Sequence, residues 1–221
     1  MGDYNQFAEE YAERTAELEK QTREHFRSLL PDVRGRNLLD VGCGSGEDAV
    51  YYETQGAKVC GIDISGKEIE MARNRVPAGE FHVGGMENLP YGSGKFDIVT
   101  SVYALQASHD VPGSLGEMVR VARPGGLILV LAKHPTRNLI EGWQNDGRKD
   151  YFGGGIVTSH IFNGTITLHE PGHTIQEYLN PGLLRGACLE VFEEHVDFPA
   201  SEQVIPGLRY PTYFIMGLRK K

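Results

Sequence analysis

The run Leu38-Leu39-Asp40-Val41-Gly42-Cys43-Gly44-Ser45-Gly46 constrains this chain more than any other stretch. Apolar residues and an Asp read as the end of a buried strand, three alternating glycines as a tight turn, and Glu47 to Tyr52 as a helix starting directly afterwards. Glycine reaches positive φ at little steric cost and lets a ligand lie on the backbone, while the first amides of the helix offer free N–H donors. A small polar ligand is expected there. A dinucleotide fits poorly, because its G-x-G-x-x-G loop needs a third glycine where this chain has Glu47, and a carboxylate faces a pyrophosphate badly. Asp40 adds a second acid, which an ammonium group would welcome. A second apolar run, Val59 to Ser65, carries Asp63 where α/β folds place a ribose-binding carboxylate. The two stretches together predict a nucleoside ligand with a cationic tail.

The rest of the chain supplies the frame. Strand and helix alternate: a strand to Asp40, a helix to about Gln55, a strand from Lys58 to Asp63, then a helix from Ser65 to about Arg75, where Ser65 and Glu68 have capping-box spacing. Short apolar strands follow at Phe81–Val83, Phe96–Ser101 and Leu127–Ala132, and Leu189–Val196 with Thr212–Leu218 read as a closing strand pair. Before this core, Phe7, Tyr11, Leu18, Phe26 and Leu30 are spaced as one face of an amphipathic helix that Pro31 ends. Between Lys133 and about Pro171 the alternation stops, and a long irregular insertion or lid is expected.

These residues resemble the class I S-adenosylmethionine-dependent methyltransferases, and the insertion, with His134-Pro135, Trp143, Asp150-Tyr151-Phe152 and Gly155, resembles a small-molecule, type 11-like subfamily. The R-V-x-x-P-G-G signature from Arg120 to Gly126 matches the same family. The resemblance implies a Rossmann-like, doubly wound α/β fold with a mostly parallel seven-stranded sheet and an antiparallel last strand. It also implies S-adenosylmethionine as cofactor and S-adenosylhomocysteine as product. On it, Asp40, Gly42, Cys43, Gly44 and Gly46 would hold the methionine end, Asp63 and Ile64 the ribose, and Met86 and Glu87 the adenine; Gly85 stands where the family often has an Asp. Tyr11 would lie near the cofactor, and Tyr103, Tyr151, Phe152 and Tyr178 would line the acceptor pocket. The segment from Gly172 to Asn180 compares with a family helix written H-R-T-L-x-x-Y-L-N, with Gly172 and His173 in place of its first two residues.

One domain is expected over 1–221: a helical cap at 1–35, a cofactor-binding core at 36–132, an acceptor-side insertion at 133–173, and a helix with a strand pair at 174–221. His134, His109 and His173 are the candidate bases, with His134 preferred. His169-Glu170-Pro171-Gly172-His173 spells H-E-x-x-H, but Pro171 and Gly172 break the helix a zinc site needs, so no metal is expected there. A net charge of −8 argues against nucleic acid as a partner, and no apolar stretch suits a membrane span. Three dispersed cysteines fit a reducing cytoplasm. The expected activity is methyl transfer to oxygen or nitrogen of a small acceptor, by a monomer or homodimer. A nicotinamide-dependent oxidoreductase and a non-catalytic or protein-methylating module are the alternatives.

Overall fold

Alternating apolar positions decide which way each strand faces. Leu38 of β1 (Asn37–Val41) packs with Ala49, Tyr52, Val59, Ile69 and Ile98, whereas its neighbours Leu39 and Val41 pack with Leu115, Met118 and Ile128 on the opposite face. Such a strand is covered on both sides, as parallel strands are. The computed structural model, which describes residues 19–147, 149–161, 166–196 and 207–221, provides that cover. On one face lie α1 (Lys20–Ser28), α2 (Glu47–Thr54) and α3 (Gly66–Arg75), and on the other lies α4 (Val111–Val121).

The remaining sheet strands are β2 (Lys58–Asp63), β3 (Glu80–Val83), β4 (Phe96–Val102), β5 (Ala122–Lys133), β8 (Ala187–His195) and β9 (Tyr213–Lys220). Their order is β3-β2-β1-β4-β5-β9-β8. Leu38 pairs in parallel register with Val59 and with Ile98, while β9 runs antiparallel to both β5 and β8. The fold is therefore the seven-stranded, mostly parallel, Rossmann-like α/β arrangement, with its last strand antiparallel. Because successive connections leave β1 in opposite directions, a crevice opens beyond the carboxyl ends of β1 and β4.

Ser65 caps α3 as its spacing predicts, accepting the Glu68 N–H at 3.2 Å. Two other expectations are corrected. The insertion is regular: His134 caps α5 (Pro135–Asp146), and β6 (Ile156–Ile161) pairs with β7 (Ile166–Pro171) as an antiparallel hairpin. The helix expected to run through Asn180 is only α6 (Ile175–Tyr178). Asn180 then caps α7 (Pro181–Gly186), with Pro181 in the first turn, where its missing N–H costs nothing. No described helix is long and apolar enough to cross a membrane.

A buried ionic cluster fixes the hairpin to the sheet. Lys133 Nζ, at the end of β5, lies 2.6 Å from Glu141 of α5, 3.1 Å from Glu170 of β7 and 2.8 Å from the Ser159 hydroxyl of β6. Ser159 donates to Glu141 at 2.7 Å, and Arg137 holds the other Glu141 oxygen at 2.7 Å. Burial alone would raise the Glu141 pKa, but Lys133 and Arg137 hold it down to about 2.

Candidate active site

The crevice at the switch point is lined from the loops after four consecutive parallel strands. Gly42 to Ser45 with Glu47 and Asp48 follow β1, Ile62 to Ile64 end β2, Gly84 to Glu87 follow β3, and Val102 to Ala104 with Ala107 to His109 follow β4. Arg23 of α1 enters from one side, and His169 and Pro171 of the hairpin from the other. Gly42 has φ +72°, and a Cβ there would sit 2.2 Å from the Ala104 Cβ, so this turn admits no side chain. Gly44, at φ +49°, donates its N–H to Asp63 at 2.9 Å. Asp63 also accepts from the Ser65 N–H at 2.9 Å, so the β1 loop and the β2 end share one carboxylate.

The electrostatics favour a cation. Asp40 is buried and accepts the Thr100 hydroxyl at 3.0 Å. Burial, then Asp48, pushes its pKa up to about 7, against the pull of Thr100 and Arg23. Burial and the nearby Asp63 likewise push Glu68 up to about 7. Arg23 hydrogen-bonds Asp48 and lies 2.7 Å from Glu19, and Arg27 holds the other Asp48 oxygen at 2.7 Å. Arg23 thus reaches the cleft with its charge already balanced by acids.

A cationic ligand beside Asp40 and Glu68 would expel protons from both. Affinity for such a ligand should therefore fall about tenfold per titrating carboxyl between pH 8 and pH 6. Calorimetry across that range tests this, and Asp40→Asn should flatten part of the slope. For the free protein the sign reverses: stability from neutral Asp40 is full below its ordinary value of 3.8 and is lost as pH rises through about 7.

The structure sorts the residues expected at the site. Asp40, Gly42, Cys43, Gly44, Asp63, Ile64, Met86, Glu87, Tyr103 and His109 line the cleft. Tyr103 does so from φ +50°, rare for a residue with a Cβ, its N–H tied to the Leu131 carbonyl at 2.8 Å. Gly46 does not line the cleft; it caps α2 at φ +84°, where a Cβ would press on Ala72 of α3 at 3.1 Å. Tyr11 lies outside the described residues.

Both buried histidines are placed elsewhere. His134 accepts the Thr136 N–H at Nδ1 (3.0 Å) and meets Glu194 at Nε2 (2.9 Å); with both nitrogens engaged at the start of α5, it has no lone pair for a substrate. Burial lowers its pKa, against the pull of Glu194. His173 is held between Glu177 at 2.8 Å and the Gln106 carbonyl at 3.2 Å. Tyr178 is fully buried against Phe214, with ring centroids 4.8 Å apart, and belongs to the core. The Tyr151 hydroxyl accepts the Ile175 N–H at 2.8 Å, while Phe152 is 81% exposed; neither lines the cleft. In the H-E-x-x-H stretch, His169 and Glu170 lie on β7, not on a helix or in a loop, and their side chains part company: His169 faces the cleft and Glu170 the Lys133 cluster.

Sequence reasoning missed Arg23, Asp48, Ser108 and His169. Buried Ser108 donates to Glu87 at 3.0 Å and its amide neighbour Asp110 N–H donates back to it at 3.0 Å, which steadies the loops after β3 and β4 together.

Comparison with known proteins gives one consistent picture. Residues 39–130 match a family described as a methyltransferase domain. A malonyl-acyl-carrier-protein O-methyltransferase of Pectobacterium atrosepticum is 35% identical over 134 residues, 60% of this chain and 53% of that one. The protein of the same name from Yersinia pestis is 31% identical over 66% of this chain and 55% of its own length. The chain thus spans about half the length of these curated relatives. A crystal structure of an S-adenosylmethionine-dependent methyltransferase from Mesorhizobium loti superimposes with a TM-score of 0.71 at 24% identity, covering 89% of this chain and 96% of the other.

Proposed function

We propose that this chain, whose residues 39–130 match a methyltransferase-domain family, transfers a methyl group from S-adenosylmethionine to oxygen or nitrogen of a small acceptor. One observation carries the reading: two acids, Asp40 and Asp63, end adjacent parallel strands on either side of a glycine turn that no side chain can fill. Dinucleotide chemistry fits this lining less well, because Glu47 and Asp48 stand where a pyrophosphate would lie.

The cleft suits S-adenosylmethionine. Asp40, with its raised pKa, gains most from an ammonium or sulfonium nearby. Asp63 is placed to meet ribose hydroxyls, and Met86 with Glu87 the adenine. Bound there, the sulfonium supplies an electrophilic methyl group. The chain's own residues then align the acceptor and keep water away: Tyr103 and His109 from the β4 side, His169 and Pro171 from the hairpin that Lys133 holds down. In this reading 36–132 bind the cofactor and 133–173 cover the acceptor.

His109, exposed on the lining, takes the acceptor proton. His109→Gln should lower turnover about tenfold to a hundredfold with cofactor affinity kept within about twofold. His134→Ala should leave turnover within about twofold. Equal losses in both variants would contradict the assignment.

The lining favours a neutral or basic acceptor over the malonyl group that the relatives' names print. Among the described lining residues Arg23 is the one Lys or Arg, and Asp48 holds it. Release of S-adenosylhomocysteine, measured against a panel of amines, phenols and a malonyl thioester, tests this. Turnover confined to the malonyl thioester would overturn it.

A further inference from the structure

Away from the cleft, three ligand-type side chains from two separate elements converge on one point. Glu193 and His195 sit two residues apart on β8, so the pleat puts both on the same face, while Glu194 turns to the other face and meets His134. His25 arrives from α1. Its Nε2 lies 2.7 Å from Glu193 Oε2, and the Nε2 of His195 lies 3.0 Å from that same oxygen. The three donor atoms all fall within 4.8 Å of one another. None of the three residues lines the cleft.

We propose that His25, Glu193 and His195 form a zinc-binding site that staples α1 to the edge strand β8. Two imidazoles and a carboxylate are a donor set that Zn²⁺ takes readily, at about 2.0–2.2 Å from each atom, with water completing a tetrahedron. Small rotations of side chains already gathered on one oxygen reach that geometry. All three residues are partly exposed, so an ion can enter and its fourth position can face solvent. Each imidazole would present the Nε2 lone pair and keep its proton on Nδ1.

The surroundings hold the ligands in place. The His195 ring stacks on Tyr213 of β9, with centroids 5.2 Å apart at 17°, and the His25 ring meets the His195 ring edge-on at 5.2 Å. Phe26, the residue after His25 on α1, is fully buried against Leu127, Leu129 and Ile215. The ionic staple would fix the helix that delivers Arg23 to the cleft.

The test is titration of the tag-free 221-residue chain with ZnCl₂, with MgCl₂ as the oxygen-preferring contrast. One equivalent of Zn²⁺ should bind at micromolar concentration or tighter, and Mg²⁺ should not compete. His25→Ala, His195→Ala and the near-isosteric Glu193→Gln should each weaken binding at least tenfold and abolish the zinc-induced rise in melting temperature. Circular dichroism of the metal-free variants separates lost binding from lost fold. Absence of stoichiometric zinc binding, or binding that survives unchanged in folded variants, would overturn the proposal.

Discussion

Lys133→Met should destabilise the protein by about 3–5 kcal/mol, the usual consequence of removing one member of a buried ion pair. Lys133 is 8% exposed and faces Glu141 and Glu170, which are 11% and 3% exposed. Methionine fills a similar volume, so packing changes little; the loss is the ammonium that faces both acids. Urea denaturation with a shift in midpoint and little change in slope would show it. A change below about 1 kcal/mol would mean that Arg137 alone sustains Glu141. The same cluster sets a pH limit. Because the Glu141 pKa is depressed to about 2, its contribution is full above the ordinary glutamate range and is lost as pH falls from there toward 2. Since the hairpin brings His169 and Pro171 to the cleft, the variant should also raise the KM for the acceptor.

Asp63→Ala should weaken S-adenosylmethionine binding by about a hundredfold, roughly 2.7 kcal/mol. The carboxylate has two tasks here. It accepts from the Gly44 and Ser65 amides, so it holds the β1 turn against the β2 end, and it lies on the lining where ribose hydroxyls would meet it. Burial raises its pKa, and those backbone N–H groups oppose the rise. Asp63→Asn separates the two tasks, because an amide oxygen can still accept from one backbone N–H. It should retain the fold and most of the turn while losing about tenfold in affinity. If Asp63→Ala binds as tightly as the unaltered chain, the ribose assignment fails.

How much could be read from the residues alone depended on distance along the chain. Asp40, Gly42, Gly44 and Asp63 were legible because a strand end, a glycine turn and the next strand end are local patterns whose spacing carries the geometry. Gly46 belonged to the same pattern, yet its task is clearance from Ala72 across a helix pair, which spacing does not reveal. Arg23 and His169 reach the cleft through packing between distant elements. Nothing near Arg23 in sequence distinguishes it from the other charged residues of a solvated helix face, and the H-E-x-x-H pattern around His169 points to metal chemistry rather than to a cleft wall. His134 misled for a related reason: a histidine before a proline after a sheet strand looks like a site, and here it is a helix cap. The insertion was misread as irregular because its glycines and aromatics hide a capped helix and a hairpin whose main anchor is buried charge rather than apolar periodicity.

Calorimetric titration of the purified chain with S-adenosylmethionine, S-adenosylhomocysteine, NAD and NADP in turn tests the cofactor assignment most directly. The first two should bind saturably, one to one and more weakly at pH 6 than at pH 8, and neither nicotinamide nucleotide should bind. Binding of NAD or NADP in place of S-adenosylmethionine would contradict that assignment.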